Sequence, residues 1–221
     1  MKIRAIITGA TGMVGEGVLH ECLLHPDVES VLSISRRTCG IRHPRLKEVL
    51  HQDFSDFSGL EQELAGHNAA FFCMGVSSVG MTEEKYRHLT YDFTMALGRT
   101  LSKVNPVMTI CYVSGMGTDS SEKGRIMWAR VKGKTENDLL QLDFRSAYMF
   151  RPGFIRPTKG LNNTHAFYRV LSPLFPLANV LFPGAVLTLK EIGLAMINSV
   201  ASGPEKRVLE VRDIAELARK T

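Results

Sequence analysis

The chain has little that would staple it together or anchor it in a bilayer. Its 221 residues hold four cysteines, Cys22, Cys39, Cys73 and Cys111, too widely spaced for a CxxC pair or a zinc site. With no signal peptide ahead of them they read as reduced thiols, which argues against a disulfide scaffold and sets the expected location as cytoplasmic. No membrane span is expected either. The most apolar stretch, "VLSPLFPLANVLFPGAVLTL", is broken by three prolines and a glycine and reads better as a cover over a pocket. Charge of one sign is not concentrated. The formal charge of +5 and pI near 9.1 lean basic, but the basic residues are dispersed and no aromatic–basic array accompanies them. A phosphate-bearing small ligand or plain solvated surface therefore fits better than nucleic acid. Repeats and low-complexity linkers are missing, and there is a single tryptophan, Trp128.

What is present is an alternation. Short β-branched runs ("IRAIIT", "ESVLSIS", "KEVLHQ", "AAFFCM", "VMTICYVS", "SAYMFRP") alternate with amphipathic stretches expected to be helical over 13–24, 57–65, 82–103, 123–142 and 188–200. A last strand, "RVLEV", and a short helix, "DIAELARK", close the chain. Runs such as "AAFFCM" are apolar on both faces, as in a parallel sheet covered by helices on both sides. The expected class is α/β, a doubly wound parallel sheet. "TLKE" opens the helix from 188 with a capping-box pattern, Thr188 to Glu191.

The first strand runs straight into "TGATGMVGEG", so Thr8, Gly9, Thr11, Gly12, Met13, Val14 and Gly15 form a turn at the entrance to a helix. A lone glycine triplet is a weak signal; the strand–turn–helix context is what the chemistry needs. Gly9 permits a tight turn, Gly12 lets backbone approach a pyrophosphate, and Gly15 lets the helix sit close to the sheet. Helix-start amides then face the phosphates. The second strand ends in "SISRR". Where an acid would take a ribose 2′-hydroxyl, this chain has Ser35, Arg36 and Arg37. Guanidinium groups bind a 2′-phosphate that an acid would repel, so NADP is the expected cofactor ahead of NAD. Two solvated loop arginines are the plainer alternative. In "HQDFSDF", Asp53 is placed to accept from the adenine amino group, with Phe54 beside the ring; a turn-capping aspartate is the competing reading. "CMGVSS" brings Cys73, Met74 and Gly75 to the cofactor's ribose, with Ser77 and Ser78 facing the pocket.

The glycine motif, the "YVSGMG" and "WARVKGKTENDLL" segments, and "RPGFIRP" together resemble the atypical and extended short-chain dehydrogenase/reductase superfamily. This is an NAD(P)-binding Rossmann fold that includes epimerase/dehydratase-like members, and the chain is most similar to the Tat-interacting oxidoreductase-like proteins. The resemblance covers residues 1 to about 157. It implies an NADP-binding Rossmann core over 1–157 and a substrate-side lobe over 158–221 packed on it as one domain. Pro152 and Gly153 of the RPG segment then fall at the cofactor. It implies Ser114 and Lys132 as catalytic positions, Lys132 also bonding the nicotinamide ribose, and a homodimer through helices 82–103 and 123–142.

One position departs. The resemblance implies a tyrosine four residues before Lys132, and Trp128 stands there. Residues four apart share a helix face, so the indole should border the nicotinamide end of the cleft. Indole donates an N–H but does not ionise near neutral pH, so it cannot exchange a proton. Counting back from Lys134 reaches Arg130 and rescues nothing. Tyr86, Tyr91, His88 and His165 are weak substitutes, each read more simply as packed or surface side chains. Two functions stay open: an NADP-dependent oxidoreductase or epimerase-like enzyme acting on a small carbonyl or sugar-like substrate, and a non-catalytic NADP-binding redox-sensing or scaffolding protein. Phe167, Leu171, Phe175 and Leu177 suggest a hydrophobic or amphipathic ligand, or an anchor for the C-terminal lobe.

Overall fold

The computed structural model describes residues 2–158, 160–161, 163 and 185–220. Seven strands form one parallel sheet: β1 (Ile3–Thr8), β2 (Val28–Ser35), β3 (Leu46–Leu50), β4 (Ala69–Phe72), β5 (Thr109–Val113), β6 (Ser146–Arg151) and β9 (Val208–Glu210), in the order β3-β2-β1-β4-β5-β6-β9. The order reverses at β1, and the crevice between β1 and β4 opens at the carboxyl ends of the strands, where ligands bind in such sheets. Because helices cover both faces, the middle strands are apolar throughout: β4 and β5 are buried at every position. The sheet thereby divides two cores, one including Ile7, Val18, Phe71 and Met196, the other Ile6, Phe72, Tyr112 and Met149. This is a Rossmann-like α/β fold, as the alternation predicts.

Helix α1 (Met13–Leu24) packs against α6 (Leu189–Ser202) at two glycines: a Cβ on Gly17 would stand 2.7 Å from the Leu189 Cβ, and one on Gly193 would stand 2.7 Å from Glu21. Arg45 closes the other end of α1 by donating to the carbonyls of Leu23, His25 and Val28. The capping box read in "TLKE" is present, Glu191 N–H donating to Thr188 Oγ1 at 3.1 Å and Thr188 N–H to Glu191 Oε2 at 2.7 Å. Described residues after 157 are tied into the same body. β9 pairs with β6, α6 and α7 (Val211–Ala218) complete one core, and the Asn163 amide donates to Glu16 Oε2 at 2.7 Å.

Three expected helices come out differently. The stretch 57–65 is helical only as α2 (Glu61–Leu64), because Asp56 Oδ1 accepts the Ser58 amide and holds the chain in a turn first. The stretch 82–103 is α3 (Glu83–Arg87), a π-helical turn (His88–Asp92) and α4 (Phe93–Val104). The stretch 123–142 starts late, as α5 (Met127–Leu140), since Asp119 accepts from Ser121 and Gly124 and delays the helix. A second sheet, β7 (Phe154–Arg156) with β8 (Val186–Thr188), has no counterpart in the sequence reading. Three-residue strands are too short to show a period.

Candidate functional site at the carboxyl edge of the sheet

A cleft of ≈ 490 Å³ opens over the ends of β1, β4, β5 and β6. Its floor at one end is the glycine loop. Gly9 has φ +78, and a Cβ there would stand 2.6 Å from the Cys73 carbonyl; a Cβ on Gly15 would stand 2.1 Å from the Gly9 carbonyl oxygen. Both positions exclude any side chain. At Gly12 a Cβ would meet only the Gly9 oxygen, at 3.4 Å. Among the described residues nothing else approaches, no side chain caps α1 at Gly12, and Gly12, Met13 and Val14 line the cleft. Space for a ligand, absence of Cβ and uncapped amides at one point fit a diphosphate. Met13 and Val14 line the same end, Thr11 is half-buried in the loop, and the Thr8 carbonyl accepts the Cys73 amide at 3.2 Å.

The opposite wall carries the positions implied by the family resemblance. Trp128 and Lys132 face the cleft from α5, with Ser114 after β5 and Pro152 and Gly153 after β6. Cys73, Met74 and Gly75 border it from the end of β4; burial pushes the Cys73 thiol up, so it stays protonated. The Lys132 ammonium donates to the Ser114 carbonyl at 2.5 Å and to the Val113 carbonyl at 3.4 Å. Its pKa is lowered to about 8 by burial, partly countered by the Glu136 carboxylate one turn on. Ser114 is turned away from the chemistry expected of it. Its hydroxyl donates to Glu136 Oε1 at 2.5 Å and lies 3.1 Å from the Phe150 carbonyl. Glu136, fully buried, is held in turn by Arg151, which also reaches Glu210 and Ser120. Glu136 and Arg151 escaped the sequence reading. The available signal was a carboxylate one turn after Lys132 and the arginine preceding Pro152.

The nucleotide end is mixed. Ser35 donates to the Arg37 carbonyl at 2.6 Å and Gln52 to the Arg36 carbonyl at 2.8 Å, which fixes this loop. Both guanidinium groups are exposed, and neither pairs with a carboxylate among the described residues. Asp53 is exposed and accepts the Ser55 amide at 2.9 Å, as a turn-capping aspartate does. Phe54 corrects the expectation made for it: the ring is 3% exposed and packs with Phe57 at 5.5 Å and Phe93 at 6.0 Å. An apolar ring is worth more buried in that cluster than held open for a base. Tyr86 is buried in the core and Tyr91 bonds Asp138 at 2.5 Å, so neither borders the cleft; His88 pairs with Asp92 on the surface. His165, Phe167, Leu171, Phe175 and Leu177 lie outside the described residues.

No family model matches the chain. "Protein FMP52-1, mitochondrial" of Scheffersomyces stipitis is 23% identical over 232 residues, covering 98% of this chain and 99% of that one. Among solved structures, the UDP-N-acetylglucosamine 4-epimerase from Methanobrevibacter ruminantium M1 in complex with UDP-N-acetylmuramic acid superposes with TM-score 0.69. It is 18% identical and covers 95% of this chain and 76% of its own. DesIV, a dTDP-glucose 4,6-dehydratase from Streptomyces venezuelae with NAD and TYD bound, gives TM-score 0.69 at 17% identity, covering 98% and 80%. At these identities the likeness shows a shared Rossmann-like fold. The word "mitochondrial" in the names of the fungal relatives overturns the cytoplasmic expectation. That expectation leaned on reduced thiols. Cys22 and Cys111 are fully buried, and a buried thiol is shielded from oxidants whatever the compartment.

A pH dependence follows from Lys132. An ammonium that bonds two carbonyls and borders the cleft should hold a cofactor's ribose hydroxyls best while charged. Affinity for a ligand whose hydroxyls accept from this ammonium is expected to be level up to about pH 7 and to fall several-fold as pH passes the lysine's value of about 8. The stability sign is opposite. Between about 8 and the ordinary value of 10.5 the unfolded chain holds more protons, so this group's contribution to stability rises with pH there. Calorimetric NADPH titrations from pH 6 to 10 check the first point; in Lys132→Gln binding should be weaker at pH 7 and lose that dependence.

Proposed function

We propose that the protein binds NADP across the carboxyl edge of the sheet and acts as an oxidoreductase or epimerase-like protein of the short-chain dehydrogenase/reductase type, with an altered proton-exchange position. The finer likeness to the Tat-interacting oxidoreductase-like proteins belongs to this proposal. The observation that carries it is the combination, in one cleft, of the open Gly12 with α1's uncapped amides and of Lys132 beside Trp128. In this reading the loop from Thr8 to Gly15 holds the diphosphate. Lys132 holds the nicotinamide ribose, Gly75 lets backbone approach that end, and Arg36 and Arg37 hold the 2′-phosphate. Bound NADP supplies hydride exchange. The chain's own residues orient it and close off one side of the ring with the indole. Residues 158–221 form the substrate side, and a homodimer through the helical stretches 82–103 and 123–142 remains part of the same family expectation.

One observation favours a second reading, an NADP-binding protein without turnover. Trp128 cannot exchange a proton, and the Ser114 hydroxyl is committed to Glu136. Loss of one positioned acid removes ~10²–10⁴ in rate while leaving cofactor binding intact. The two readings separate in one experiment: purified protein with NADPH and a panel of aldehydes, ketones and quinones. Consumption of NADPH that disappears in Lys132→Ala supports the enzyme. Tight binding with turnover only in Trp128→Tyr supports the binder.

The cofactor preference has its own test. Trp128 emission should be quenched by NADPH at low concentration and by NADH only at a concentration about 10-fold or more higher. In Arg36→Ala/Arg37→Ala the two dinucleotides should converge. Equal responses in the unsubstituted protein would remove the 2′-phosphate assignment.

A further inference from the structure

One structural neighbour holds UDP-N-acetylmuramic acid, and such a ligand brings a charged diphosphate and many hydroxyls. The cleft here is built differently. Val76, Met116, Trp128, Phe154 and Ile155 enter it from four segments: the loop after β4, the loop after β5, α5 and β7. Among the described residues lining it, Lys132 is the one charged side chain, and two of its three ammonium hydrogens go to the carbonyls of Ser114 and Val113, the third being the one given to the cofactor's ribose. Among the described residues, the lining includes no carboxylate, arginine or histidine. Arg151, one residue before Pro152 in sequence, is drawn to Glu136, Glu210 and Ser120. The Ser114 hydroxyl is spent on Glu136.

The apolar character continues to the rim. Met116 is 47% exposed, and the loops that feed the cleft also expose Val79 at 87% and Ile126 at 58%. Large apolar side chains left open around a concave site mark a surface that gains by being covered. Beyond the helix-start amides given to the cofactor, the described lining offers a second diphosphate little more than the Ser77 hydroxyl and one ammonium, so such a group would lose its water for few donors.

From this complementarity we propose that the ligand taken beside the cofactor is an uncharged apolar carbonyl compound, an aliphatic or aryl ketone or aldehyde, and not a sugar nucleotide. The proposal rests on the NADP reading for which part of the cleft remains free, but the ligand's chemistry is set by the lining. It holds for a protein that turns the ligand over and for one that only binds it.

The test uses the full chain and calorimetric titration with 2-undecanone and with UDP-glucose, each with and without saturating NADPH. 2-Undecanone is expected to bind with NADPH present and UDP-glucose to give no signal. Met116→Asp, which places a carboxylate on the exposed rim, should weaken the ketone about 10-fold or more. Leu24→Asp, 66% exposed on α1 and outside the lining, should leave ketone binding as it was. Binding of UDP-glucose but not of the ketone would overturn the proposal. So would ketone binding that ignores Met116→Asp or that falls equally in Leu24→Asp, and so would absence of binding by both ligands. Titration with NADPH alone reports on the cofactor reading separately. Failure there, with ketone binding still sensitive to Met116→Asp, would remove the cofactor assignment and leave the ligand assignment standing.

Discussion

Glu136→Ala is expected to lower the free energy of unfolding by about 3–5 kcal/mol, the usual cost of removing one partner from a buried ion pair. Glu136 has no exposed surface, and its carboxylate accepts from Ser114 at 2.5 Å and from Arg151 through Nε and Nη2. Removing it leaves a guanidinium whose side chain is only 12% exposed, with Glu210 as its remaining carboxylate partner. It also leaves the Ser114 hydroxyl with a carbonyl in place of a carboxylate. Because Ser114's carbonyl is what receives Lys132, the damage should extend to the cleft, and NADPH binding should weaken along with stability. Paired replacement, Glu136→Met with Arg151→Met, should recover most of the lost stability, since a matched apolar pair carries no unpaired charge. Guanidinium denaturation of the two single variants and the double variant measures the coupling. A single-variant cost below about 1 kcal/mol would show that water or another group satisfies Arg151.

The second large effect separates two glycines of one motif. In Gly15→Ala the new methyl would stand 2.1 Å from the Gly9 carbonyl oxygen, so α1 must lift off the loop. Both thermal stability and NADPH affinity should fall, the affinity by about 100-fold or more, a loss of ~2.7 kcal/mol. In Gly12→Ala the new methyl meets only the Gly9 oxygen, at 3.4 Å, and points into the open cleft. Stability should stay within about 0.5 kcal/mol of the parent, while NADPH affinity falls through obstruction of the phosphate. Thermal melts with parallel NADPH titrations distinguish the two. If Gly12→Ala melted early while binding NADPH normally, the loop's glycines would serve the fold alone.

Much of the architecture was legible because it rests on local pattern. The alternation of apolar runs and amphipathic stretches placed the seven strands of the main sheet to within about two residues, since strand period and helix period are written in consecutive residues. The Thr188–Glu191 box was legible for the same reason: its partners are three residues apart. Element starts were harder. The late beginning of α5 depends on Asp119 reaching to Gly124, and the break at His88–Asp92 has no glycine or proline to announce it.

The site was legible as a set of backbone positions and much less as a set of side-chain contacts. Gly9, Gly12, Gly15, Trp128 and Lys132 stand in or around the cleft that their spacing implied, because loop-then-helix geometry and four-residue helix spacing carry them there. The replacement of a proton-exchanging tyrosine by an indole is likewise a matter of residue identity and spacing alone. Where the Ser114 proton goes, that Phe54 packs inward on Phe93, that Tyr91 turns to Asp138, and that Arg151 leaves the cleft for Glu136 and Glu210 were settled only by tertiary packing. The polar partners are 15 to 59 residues apart along the chain, and choosing among them is a competition between buried acceptors that exists only in the packed protein.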